Sequence, residues 1–144
     1  MAQLQDLTKS IAIVQVLSPI DVNGGALTGD YIHVKNYDAV VFVCEGGELN
    51  ANLVITINQS TQDADGGSDV KAMENAKATT FTNGTDEDTV RLIQIDVAQD
   101  MDTDGGFEWL RIQTNNPATP TFVGITALCY RARYAEATMP SAIT

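Results

Sequence analysis

Four Gly-Gly pairs, at Gly24-Gly25, Gly46-Gly47, Gly66-Gly67 and Gly105-Gly106, punctuate this chain and hold eight of its eleven glycines. Paired glycines favour turns, because they accept backbone angles closed to other residues. Between them lie short runs rich in Val, Ile, Phe and Thr, at 11–17, 31–34, 39–44, 53–58, 90–97, 107–114 and 121–130. Each is bounded by Gly, Asn, Asp or Pro, the pattern of strands joined by turns. Within 53–58, Leu53, Ile55 and Ile57 are apolar while Thr56 and Asn58 fall on the other side. Within 90–97, Ile93, Ile95 and Val97 oppose Gln94 and Asp96. This period-two alternation predicts antiparallel strands with one face buried.

The runs 40–44 and 122–130 are apolar on both sides, which predicts central positions in their sheets. The one helical candidate is 69–77, which carries Ala, Met, Glu and Lys. It is too short to organise a fold and is expected to form a turn of helix or an irregular crossover. Seven or eight strands in one domain predict an all-β, single-domain antiparallel β-sandwich, with jelly-roll and immunoglobulin-like connections both open. The domain is expected over 11–133. Residues 1–10 are read as an N-terminal arm, and 134–144, with one charge, a proline and small residues, as an extended C-terminal tail.

Charge narrows the function. The 144 residues carry 19 acids against 8 bases, a formal charge of −11. A nucleic-acid partner requires clustered Lys and Arg to neutralise phosphates, and an anionic membrane surface requires the same, so neither is expected. No apolar run approaches the ~20 residues of a membrane span. Residues 1–6 lack the basic start and apolar stretch of a signal peptide. Two cysteines, Cys44 and Cys129, are too few for a disulfide framework or a four-ligand zinc site, and folding in a reducing cytoplasm is expected.

Catalytic chemistry has little to start from. The single histidine, His33, lies in a short strand candidate and is expected on a sheet surface, with nothing in the sequence placing a nucleophile beside it. Both cysteines sit in apolar runs, where free Cys behaves as a small hydrophobe. No GxGxxG, P-loop or HExxH occurs. The expectation is a protein that is not an enzyme, with no catalytic residues and no cofactor.

The acids are unevenly placed: residues 63–108 hold twelve of them against Lys71, Lys77 and Arg91. The stretch Asp100, Asp102, Asp104, Gly105 resembles the opening half of a calcium loop, with acids at positions 1, 3 and 5 and Gly at 6, although position 12 is Arg111 in place of Glu. Asp63, Asp65 and Asp69 around Gly66-Gly67 look similar. Asp100, Asp102 and Asp104 are therefore the candidate ligands for a structural Ca²⁺, weighed against ordinary solvated turns, where Asp and Gly are common. Phe107 and Trp109 share one strand face, opposite Leu110 and Ile112. The aromatic pair is expected in the sandwich core rather than as a ligand platform.

The order of segments resembles a known group, the small acidic β-sandwich virion proteins of tailed bacteriophages, of capsid decoration (cement) type. The run VKNYDAVVFV at 34–43 is similar to their (G/N)Y-x-x-V-x-F-V strand, and LVITINQSTQD at 53–63 to their V-T-L-x-Q-A-x-D strand. Residues 66–72 are like their G-x-G-A-K-A turn, with Ser68-Asp69-Val70 in place of the second glycine. DMDTDGGF at 100–107 looks like their L-D-x-x-x-G-F segment, and Arg133-Tyr134 matches a common ending of their last strand. The resemblance spans 34–134. It implies a jelly-roll-like sandwich on the outer surface of a phage head, binding the major capsid protein and itself as a homotrimer. The alternatives are a head–tail connector or tail component and, from another class, a Ca²⁺- or carbohydrate-binding module.

Overall fold

The computed structural model describes residues 11–63 and 69–132. The arms expected at 1–10 and 134–144, and the Gly66-Gly67 turn, lie outside those residues. Eight strands form in chain order: β1 (Ile11–Asp21), β2 (Ile32–His33), β3 (Tyr37–Leu49), β4 (Leu53–Ser60), β5 (Lys71–Phe81), β6 (Val90–Asp96), β7 (Trp109–Thr114) and β8 (Thr121–Ala132), with one short helix α1 (Val97–Asp100) after β6.

The strands divide into two four-stranded sheets, ordered β1-β8-β3-β6 and β2-β7-β4-β5. The antiparallel pairs β1/β8, β2/β7, β3/β6 and β4/β5 have indices that sum to nine. The chain thus resembles one long hairpin with its tip between β4 and β5. Rolling that hairpin joins β3 to β8 and β4 to β7, which closes the two sheets. Two interleaved Greek keys of this order are the jelly roll, so the topology decides between the two connection schemes that strand patterning left open.

Alternation fixes which side of each strand faces inward. Leu53, Ile55 and Ile57 of β4 and Leu110 and Ile112 of β7 are fully buried, and they meet Val40, Phe42 and Cys44 of β3 and Val123, Ile125 and Ala127 of β8 across the sandwich. The two runs apolar on both sides, in β3 and β8, do occupy the centre of their sheet.

Three expectations are corrected. Residues 71–81 form strand β5 where a helical turn was expected over 69–77. β5 is the edge of its sheet, and only Met73 and Phe81 are buried along it, so solvated Ala, Glu and Lys fill positions where a pleat and a helix ask for the same residues. Its register against β4 skips from Lys77 to Ala72, leaving a bulge between them. Gly46-Gly47 is not a turn but lies within β3. A Cβ on Gly46 would stand 2.8 Å from two carbons of the Phe81 ring, so the missing side chain is what admits that ring to the core. Trp109 is not a core residue. Leu110 and Ile112 take the inward face of β7, and Trp109 stands half-buried on the outer one.

Cys44 and Cys129 are buried and free. Burial pushes both thiols up to about 12. Cys129 pairs across the sheet with Val40, and Cys44 with Ile125, so the two sulfurs are several rungs apart and out of disulfide reach. A thiol-specific chromogenic reagent at neutral pH is expected to label neither cysteine in the native protein and both in denaturant. Rapid labelling of the native protein would contradict this burial.

Candidate interaction face

In a two-layer sandwich each sheet buries one face and leaves the other to solvent, where polar residues are the rule. The second sheet, β2-β7-β4-β5, follows that rule. Its outer face presents His33, Trp109, Arg111, Asn58, Gln113 and Thr56. The first sheet does not. One cross-strand row on its outer face reads Leu92, Val43, Thr126, Gln15, and the next reads Gln94, Val41, Leu128, Ile13. Leu92 is 66% exposed, and beside Glu45 at the end of β3 Val90 is 57% exposed. Among the described side chains no ionisable group stands between Glu45 at one end of this face and Asp96 at the other.

A shallow groove of about 190 Å³ continues the face past Glu45. Pro19 and Phe122 wall it, and Gly46, Gly47 and Gly124 leave its floor without side chains. Phe122 is a further exposed aromatic. Contiguous exposed apolar surface on a folded domain marks a place where something binds. The sequence carried the signal in the doubly apolar runs of β3 and β8, which alternation explains on one side only.

The residues singled out for chemistry fall elsewhere. His33 is exposed on the second sheet as expected, stacked on Trp109 with ring centroids 4.6 Å apart. Its Nε2 lies 3.2 Å from Glu108 Oε2, and Lys35 Nζ lies 2.9 Å from the other oxygen. The Lys35 hydrogen bond, then that of His33, hold the Glu108 carboxyl below its usual range. Both cysteines lie between the sheets, away from this imidazole.

The acidic loop is held by lysines and amides. Asp100 Oδ2 accepts from the Asp96 amide at 2.8 Å and lies 3.1 Å from Lys77 Nζ, while Oδ1 accepts from Asn75 Nδ2 at 3.0 Å. Asp102 pairs with Lys71 Nζ at 2.7 Å and caps the turn through the Gly105 amide at 2.9 Å. The lysine, then that amide, lower its pKa. Lys71 also lies over the Phe107 ring, 4.3 Å from its centroid. Asp104 is exposed. Asp69, from the second acidic loop, accepts from the amide and hydroxyl of Thr61. Among the described residues no three His, Cys, Asp or Glu side chains gather as a metal site, so Asp100, Asp102 and Asp104 are not brought together. Nor is any helix there long and apolar enough to cross a membrane.

No protein-family model matches this chain, and no curated protein sequence matches it. Its fold does have solved relatives in shape. The SPBc2 prophage-derived protein YomS superposes with a TM-score of 0.53 at 9% identity, covering 84% of this chain and 93% of that one. A chain from Bacillus endospore appendages, described as a family of disulfide-linked pili, gives a TM-score of 0.42 at 12% identity over 92% of this chain and 97% of its own. The sandwich is therefore a fold also found in a prophage-derived protein.

Proposed function

We propose that this chain is a structural protein of a phage particle, without enzymatic activity, that decorates the outer surface of the head. It binds the major capsid lattice and assembles with itself as a homotrimer. The observation that carries the reading is the apolar outer face of the first sheet, which the domain's own two layers do not cover. A protein whose work is to fit surfaces needs such a face and needs no acid, base or nucleophile. The ordered resemblance over 34–134 to phage decoration proteins supports the reading, and so does a fold found in a prophage-derived protein.

Decoration also accounts for the charge. A surface acidic over most of 63–108 keeps particles apart in solution and suits a basic shell surface, whereas it would repel packaged DNA. Several weak contacts to one lattice hold through avidity without a tight single interface. The test is to add purified protein to heads that lack it, counting bound copies and measuring heat stability. Saturable binding on the order of hundreds of copies per head, with raised stability, is the expected result; about six or twelve copies would assign a connector or tail role instead. Absence of saturable binding would sink the decoration reading.

A further inference from the structure

We infer that the occupant of the first sheet's outer face is a second copy of this chain. The inference rests on the reading of that face as a binding surface, and it names the partner. At −11, two copies repel wherever acids face one another. Contact between copies is least opposed where the surface carries no charge. The two central rows of this face, from Leu92 to Gln15 and from Gln94 to Ile13, hold no ionisable side chain. The outer side of the second sheet bears His33 and Arg111, with Glu108 at its margin, and the 82–104 region bears seven further acids. A basic partner would be recognised by those acids. An uncharged apolar face offers it nothing that depends on charge, and suits a like-charged copy.

The edge strands agree. β5, the edge of the second sheet, carries Lys71, Glu74 and Lys77, the charges that discourage association along an edge. β6, the edge of the first, carries Arg91 and Asp96 but presents Val90 and Leu92 on its outer face. Four strands at ~4.8 Å spacing and about seven residues of length, a span whose end rows take in Glu45 and Asp96, give roughly 450 Å² per copy, below the standard size of a specific interface, so weak association is expected.

Sedimentation equilibrium of the full chain at about 200 µM tests this. The wild type is expected to associate, and more strongly at about 0.5 M NaCl, because salt screens the repulsion between copies and leaves the apolar contact intact. Leu92→Glu, at a position already exposed, is expected to keep the native circular dichroism and melting temperature. It should weaken association at least about tenfold by setting a carboxylate in the contact. A monomeric wild type at this concentration, or a Leu92→Glu variant that associates like the wild type, overturns the inference.

Binding to heads, measured on both proteins, separates this from the decoration reading. If Leu92→Glu is monomeric yet saturates heads at higher concentration, this face serves the copy and the shell contact lies on another, which upholds both readings. If the wild type is monomeric and Leu92→Glu fails on heads, the face belongs to the shell, and self-contact is wrong while decoration stands. Self-association without any binding to heads keeps this inference and removes the decoration role.

Discussion

Replacing Phe81 by Ala is expected to lower the unfolding free energy by about 3–5 kcal/mol, the range for truncating a buried aromatic. Phe81 closes β5 opposite Leu53, is fully buried, and reaches from the second sheet to the backbone of the first. Its ring lies against Gly46 of β3, with the Arg91 guanidinium 6.0 Å from the ring centroid. The partner change makes the contact specific. Gly46→Ala puts a methyl at 2.8 Å from the ring and is expected to destabilise the wild type. In the Phe81→Ala background the same methyl enters the vacated space, and its cost should largely vanish. Urea denaturation of the four proteins measures the coupling. Additive effects would show that ring and glycine do not meet.

That contact also marks where sequence reasoning stops. The alternation in β4 and β6 names its buried faces, because a sheet with one wet side imposes period two on its residues. The doubly apolar runs place β3 and β8 at the centre of a sheet. β5 gives no such signal: its long solvated stretch leaves Ala, Glu and Lys free of any pattern, and those residues also favour helices. β7 shows period two but has apolar residues on both sides, so its pattern alone could not say whether Trp109 or Leu110 turns inward. The jelly-roll order rests on pairs such as Ile11 with Tyr130, which no local pattern encodes. The partners of the acidic loop are hidden for a linked reason. The spacing of Asp100, Asp102 and Asp104 is visible in sequence, but the lysines that hold two of them, Lys77 and Lys71, lie on the very strand read as a helical turn. Without β5 in view, those carboxylates have no visible partners in the sequence, and a cation is the natural candidate.

Those lysine contacts lead to the second large effect. Asp100→Asn is expected to lower stability by about 2–3 kcal/mol near neutral pH, somewhat under the range for breaking a fully buried pair because Lys77 retains partial exposure. Asp100 is 5% exposed and ties three elements together: it accepts from the Asp96 amide that opens α1, from Asn75 in the β5 bulge, and from Lys77 further along β5. An amide in its place sets an N–H against one of these donors and leaves Lys77 without its counter-charge. Burial by itself raises the Asp100 pKa, but the Asp96 amide, Asn75 and Lys77 outweigh it, and the folded value lies below the ordinary 3.8. A carboxyl depressed in the folded state stabilises fully above its unfolded pKa and loses that stabilisation as pH falls through the lower folded value. The stability gap between wild type and Asp100→Asn should therefore stay level from about pH 8 to 5 and close on further acidification below about pH 4. Thermal melts of both proteins across that range, each with EDTA and with millimolar Ca²⁺, check this directly. Because the three donors are a lysine, an amide side chain and a backbone N–H, the gap is expected to be the same with and without Ca²⁺. A gap that widens when Ca²⁺ is added would reassign Asp100 from Lys77 to an ion.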